Sequence, residues 1–228
     1  MSGFETAWAA ADASVGWLTR DQARALWTAA QSVAADERIL EIGSHQGRST
    51  IVLAMAARDR GASVIAVDPF VEGRLFGGQA TRRTFETNLA RAGVADVVRL
   101  IAERSCDIRR GWHEPLAMVY IDGKHDYWTV RDDLRWVSQL RPGAPVLVHD
   151  SFSSIGVTLA LLLHVLPARG LRYLGRVGSL ALFEVGPVPA RDRLRLLAQL
   201  PWFARNVLIK ITLRLARIVG YRGTPDPY

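Results

Sequence analysis

Three short apolar runs in this chain end in residues able to bind a ligand or move a proton. Ser63–Val67 runs into Asp68, Ala117–Ile121 into Asp122-Gly123-Lys124-His125-Asp126, and Pro145–Val148 into His149-Asp150-Ser151. Ligands of parallel α/β sheets bind at the carboxyl ends of strands, so carboxylates and imidazoles at such positions are candidates for a site. Histidine's ordinary pKa near 6.5 suits a proton acceptor at neutral pH. His125, three residues after Asp122, is the first choice for that role and His149 the second, with a structural hydrogen-bonding histidine as the competing reading. A fourth run, Arg38–Ile42, carries Glu41 and leads into Gly43-Ser44-His45-Gln46-Gly47 and then Arg48-Ser49-Thr50. A strand, a glycine-bearing turn and a helix start let backbone approach a bound cofactor closely. The glycine spacing differs from the Gly-x-Gly-x-x-Gly of dinucleotide sites.

The elements that must place these groups follow from periodicity. Residues 4–33 carry two helix patterns, the second starting near Thr19, with Ala25, Leu26, Ala29 and Val33 along one face. Trp8, Trp17 and Trp27 read as helix-packing residues, with cover for a substrate mouth as the lesser reading. Arg38–Ile42 is a strand, Arg48–Arg60 a helix closed by Gly61, and Ser63–Val67 a second strand. Pro69–Gly78 is long and glycine-rich for a connection at such a strand end and reads as a lid. The alternation continues with a helix over Thr81–Ala92, strands Val97–Ile101 and Ala117–Ile121, a helix over Tyr127–Gln139, strand Pro145–Val148 and a buried helix over Ser154–Leu166. Leu171–Val177 and Leu180–Val185 flank Gly178-Ser179, a two-residue hairpin signal. The fold class is α/β, a mostly parallel sheet closed by an antiparallel hairpin.

A chain of 228 residues with 49% apolar content can build one large core covering both faces of a sheet. The lone Cys106 excludes an internal disulfide and fits a reducing, cytoplasmic setting. Residues 1–12 have no secretory pattern, and the longest apolar run, Ile155 to Leu163, is about half of a bilayer span. Of the net charge of +7, six units fall in residues 190–228, where eight Lys/Arg meet two Asp/Glu. The nearly neutral body weighs against a nucleic-acid partner, whose enzymes spread positive charge around the cleft.

Glu41-x-Gly43-x-x-x-Gly47 resembles the first motif of class I S-adenosylmethionine-dependent methyltransferases. The phrase from Tyr120 to Tyr127 with Val130 and Asp133, then Arg141-Pro142-Gly143 and Val148-His149-Asp150, is similar to the sugar, macrolide and aminocoumarin O-methyltransferases. The resemblance spans about residues 36–185 and implies a Rossmann-like, seven-stranded fold. It implies that Glu41, Gly43, Ser44, Gly47 and Ser49 line S-adenosylmethionine and that Asp68 accepts its ribose hydroxyls, since one carboxylate accepts two such bonds. It places Ser105 beside the adenine, with a capping serine as the alternative, and Asp122 near the amino group.

Related enzymes hold Mg²⁺ at the ends of the fourth and fifth strands, which implies Asp122, Asp150 and, where their pattern has Asp or Asn, Ser151. Oxygen ligands of this kind suit a hard cation. His125 stands where catechol-type relatives carry a lysine base, and His149 either supports the neighbouring Asp150 from behind or is a substitute base. The implied reaction is methyl transfer to a hydroxyl of a sugar or glycan precursor, on a small-molecule or oligosaccharide acceptor. A small phenol, a natural product or a non-catalytic membrane-associated scaffold are the alternatives. Tyr127, Trp128, Phe70 and Phe76 stack on the acceptor or simply pack. Lys124, Arg74, Arg82 and Arg83 are solvated or acceptor-facing.

The organisation expected is a methyltransferase domain over residues 1–189, with a helical lid over 1–35, and a basic amphipathic tail over 190–228. In the tail, Lys210, Arg214 and Arg217 share one stripe, while Val207, Leu208, Ile211, Leu215, Ile218 and Val219 share an apolar face. Such a helix docks on its own domain or a second subunit, or lies on the inner membrane face.

Overall fold

The computed structural model describes residues 3–73 and 77–218, with side chains through Arg214. Arg74, Leu75 and Phe76 of the expected lid, Val219 and the rest of the tail, and the side chains of Leu215, Arg217 and Ile218 lie outside the described residues.

Two helices lead in, α1 (Phe4–Asp12) and α2 (Arg20–Ala30), and both pack on α3 (Arg48–Arg60). Thr19 caps α2 in a reciprocal box with Gln22, satisfying two end amides at once. The strands are β1 (Arg38–Ile42), β2 (Ser63–Val67), β3 (Val98–Ile101), β4 (Met118–Ile121), β5 (Pro145–Val148), β6 (Leu171–Val177) and β7 (Leu180–Val185). They form one sheet in the order β3-β2-β1-β4-β5-β7-β6, with the first five parallel and the β6/β7 hairpin antiparallel. The seven-stranded, mostly parallel α/β architecture read from the sequence is therefore the observed one. Order runs outward from β1 through β2 and β3, then restarts on its other side at β4. The crevice between the carboxyl ends of β1 and β4 is the switch point where such sheets bind ligands.

Between these strands lie α4 (Gly78–Arg91), α5 (Ser105–Arg109), α6 (Tyr127–Asp133) and α7 (Ile155–Ala160), and the chain ends in α8 (Ala190–Leu197) and α9 (Leu200–Ile218). Helix α4 starts a turn before the expected Thr81, because the Glu72 carboxylate caps it by accepting from the Gln79 amide at 2.8 Å. Helix α6 gives way to a 3₁₀ turn over Leu134–Gln139, and α7 to a π turn over Leu161–Val165. The helix expected to be buried is one-sided, with Ile155, Leu159 and Leu163 exposed.

Both sheet faces are covered, as nearly continuous apolar strands require. One face holds Leu26, Ile39, Ile51, Leu53 and Phe85, and the other Leu40, Ile65, Trp136, Phe152 and Leu161, with Trp202 and Phe203 of α9 packed against it. Each large side chain fully removed from water contributes on the order of 1.5–3 kcal/mol.

Candidate active site

The turn after β1 is shaped by a close approach. Gly43 has φ +88°, and a Cβ there would lie 2.2 Å from the Asp122 carbonyl oxygen. Only glycine satisfies both conditions, so β1 and β4 meet at the switch point without a side chain between them. Asp68 at the end of β2 fixes the turn. One of its oxygens accepts from the amides of Ser44 at 3.1 Å and His45 at 2.9 Å, and the other from the amide of Phe70 at 2.9 Å. Gly43, Ser44, His45 and Asp68 thus form one turn with Asp122 at its edge, and the Gly47 amide closes it by donating to the Ser44 carbonyl at 2.8 Å.

Three residues expected at the cofactor have side chains bonded to other protein groups. Glu41 is fully buried and accepts from the hydroxyls of Ser49 and Thr50, both at 2.5 Å, which locks the first turn of α3 onto β1. Burial outweighs these bonds and pushes its carboxyl up to about 7. Ser49 is committed to Glu41, and Ser105 donates to Asp133, whose carboxyl burial raises to about 7. These side chains brace the turn from inside the protein through bonds to other protein groups.

At the ends of β4 and β5, four side chains converge. Asp122 Oδ2 accepts from the Tyr120 hydroxyl at 2.8 Å. Asp122 Oδ1 lies 3.2 Å from His149 Nδ1 and 3.4 Å from His125 Nε2. The other nitrogen of His125, Nδ1, lies 3.0 Å from Asp150 Oδ2. Asp150 has φ +52°, a left-handed conformation unusual for a non-glycine residue, and its Oδ1 accepts from the Ser153 hydroxyl at 3.1 Å. His125 is the accessible member, its side chain 38% exposed against 6% for His149.

The charges in this cluster reinforce one another. Burial favours the protonated acid at Asp122, but His149 and His125 outweigh it and hold the carboxyl well below its ordinary range. Asp150 is lowered in the same way, chiefly by His125 against burial. Burial favours a neutral His125, yet Asp122 and Asp150 prevail and push it up to about 10. His149 is raised too, with burial opposed by Asp122. The expectation of an ordinary imidazole near 6.5 is therefore corrected: His125 rests protonated between two carboxylates.

The expected metal set does not fit this arrangement. Ser151 is fully buried and its hydroxyl donates to the Val148 carbonyl at 2.9 Å, because the β5 end turns it back toward its own strand. The His125 ring stands between Asp122 and Asp150, directing a nitrogen at each. Among the described residues no group of three His, Cys, Asp or Glu side chains is arranged to hold an ion.

Aromatic residues divide between core and rim. Trp27 meets Phe4 edge-on, Trp8 lies under Arg48, and Phe70 is buried against Phe85. Trp17 is 56% exposed and stacks at a tilt on His45 of the glycine turn. Trp128 is 64% exposed, with Tyr127 edge-on to it. Lys124 pairs with Asp126 at 2.8 Å, and Arg82 with Glu86 along α4.

Several supporting residues escaped the sequence reading. Gln22 reaches His149, Tyr120 holds Asp122, and Ser153 holds Asp150. A Cβ on Gly156 would lie 2.3 Å from the His125 carbonyl oxygen, so this glycine lets α7 seat against the His125 loop. Its only sequence signal is a glycine inside an otherwise apolar helix.

A methyltransferase-domain family model matches residues 40–151, the stretch holding both the Gly43 turn and the histidine cluster. Among solved structures, cofactor-bound Rv0187 from MTB is 25% identical, with a TM-score of 0.60, over 79% of this chain and 88% of that one. The O-methyltransferase TomG of Streptomyces achromogenes, involved in tomaymycin synthesis and solved with S-adenosylmethionine, is 25% identical, with a TM-score of 0.59, over 75% and 82%. An O-methyltransferase from Bacillus cereus in complex with S-adenosylhomocysteine shares the fold at 23% identity and a TM-score of 0.56, over 80% and 88%.

Proposed function

We propose that this chain, which belongs to the class I S-adenosylmethionine-dependent methyltransferases and groups with the O-methyltransferases, methylates a hydroxyl of a sugar or glycan precursor and uses His125 as the proton acceptor. The observation that carries this reading is the His125 ring held between Asp122 and Asp150 at the strand ends beside the Gly43 turn.

When bound, S-adenosylmethionine would supply an electrophilic methyl on its sulfonium for transfer to the acceptor hydroxyl. Gly43, Gly47 and Asp68 would hold it; Asp68 has about four acceptor sites, of which three amides use three, so that one would be left for a ribose hydroxyl. A neutral hydroxyl is a weak nucleophile, so its proton must leave as the methyl arrives. Asp150 holds Nδ1–H of His125 at the tighter contact, so in the neutral ring, which gains population as pH rises toward about 10, Nε2 at the looser 3.4 Å contact with Asp122 is the atom that takes that proton. Both carboxylates then stabilise the imidazolium. His149 and Tyr120 fix Asp122 in place, and no step is routed through an ion.

The exposed Trp128 ring with Tyr127 beside it offers a platform for the apolar face of a sugar, which supports the preferred acceptor class. The similarity to TomG favours a second reading, a hydroxyl of a small natural product. Labelled methyl transfer from S-adenosylmethionine to a panel of sugars, glycan precursors and phenols decides between them. Turnover with a sugar acceptor that His125→Ala abolishes is the expected result. Near-wild-type turnover by that variant removes the base assignment.

A further inference from the structure

Helix α9 has two distinct faces, and only one is used by the fold. Asn206 is fully buried and its side-chain amide donates to the Phe152 carbonyl at 3.1 Å; Lys210 donates to the Ser153 carbonyl at 3.0 Å. These two bonds, with Trp202 and Phe203 packed on the core, pin the rotation of the helix about its axis. The helix thus docks on its own domain through Trp202, Phe203, Asn206 and Lys210, which turns part of the expected apolar face away from the protein. Leu208 and Ile211 of the apolar face point outward, 64% and 50% exposed. By sequence, Ala204, Leu208, Ile211, Leu215 and Ile218 repeat at spacings of four and three, one continuous stripe along the helix.

The charge bordering this stripe selects its partner. Arg205 and Arg214 are exposed on either side of it, and among the described residues neither has a carboxylate partner. Between Asp192 and Asp226 the chain carries seven Lys/Arg and no acidic residue. A second copy of this helix would bring arginines against arginines, whereas an anionic lipid surface takes up the apolar stripe and its cationic border together. No helix among the described residues is long and apolar enough to cross a membrane, which leaves a surface contact.

We propose that the outward face of α9 seats this enzyme on an anionic phospholipid surface, with Leu208 and Ile211 entering the headgroup boundary and Arg205 and Arg214 meeting lipid phosphates. The full chain is mixed with sedimentable vesicles of phosphatidylcholine alone or with phosphatidylglycerol. Expected is co-sedimentation with the phosphatidylglycerol vesicles only, lost at high salt. Arg205→Gln and Arg214→Gln should each weaken it about fivefold, and Leu208→Glu with Ile211→Glu should abolish it. Both positions are exposed, so the double variant should fold, checked by an unchanged melting shift with S-adenosylhomocysteine. Equal binding to both vesicle types, or wild-type binding by the double variant, overturns the proposal. So does a double variant that turns a dimer into a monomer while vesicle binding stays as it was, which would assign the face to a second copy.

Discussion

The side-chain oxygen of Gln22 lies 3.3 Å from Nε2 of His149, joining the second helix to the β5 end across 127 residues. The same oxygen accepts from the Thr19 amide at 3.0 Å, which fixes the Gln22 amide so that its nitrogen donates to the Ser179 hydroxyl at 3.1 Å. His149 must therefore donate from Nε2, and its Nδ1 is the atom turned toward Asp122. Gln22→Leu leaves buried donors unmatched and opens the helix cap. We expect it to destabilise the fold by about 2 kcal/mol and to lower kcat more than the cofactor affinity. Denaturant melts and steady-state kinetics on the purified variant check both halves.

In the proposed role of base His125 must be neutral, and its neighbours push its pKa up to about 10. The rate should therefore rise about tenfold per pH unit through neutrality and level off near that value. A profile that levels off near pH 6.5 contradicts the carboxylate clamp.

The same shift has the opposite sign for stability. A raised folded-state pKa means the native protein holds a proton that the unfolded chain releases near 6.5. This stabilisation is complete below that pH and is lost as pH rises toward about 10. The melting temperature should fall across this window, and less steeply in His125→Gln. Parallel thermal melts of the two proteins provide the comparison.

Gly43→Ala places a methyl 2.2 Å from the Asp122 carbonyl oxygen at φ +88°. Overpacking and left-handed strain together should cost about 2–4 kcal/mol. Binding of S-adenosylhomocysteine should be lost as well, because the turn and the Asp122 loop can no longer meet. Calorimetric titration below the melting point of the variant separates the two effects.

With Ser151 turned to Val148 and His125 standing between Asp122 and Asp150, turnover should be unchanged by EDTA, and Mg²⁺ should add no thermal stabilisation beyond that of S-adenosylhomocysteine. A reproducible loss of turnover in EDTA, restored by Mg²⁺, would show that the histidine yields its place to an ion.

The sequence by itself determined the strand and helix order, because apolar runs of four or five residues leading into Asp68, Asp122 and His149-Asp150 leave few other ways to bury them. It also marked the turn after β1, since Gly43 and Gly47 stand at φ +88° and +87°, which other residues resist. Which partner each polar side chain takes was decided only by the tertiary structure. The inward direction of Glu41 depends on the strand pleat, the back-turned Ser151 on the β5 end, and the aim of Asp150 on its φ of +52°. Gln22 reached His149 through the packing of α2, which no local pattern encodes. The protonation of His125 came last, because a pKa is set by distances of 3.0 and 3.4 Å to carboxylates on two different loops, and those distances exist only once the sheet has assembled.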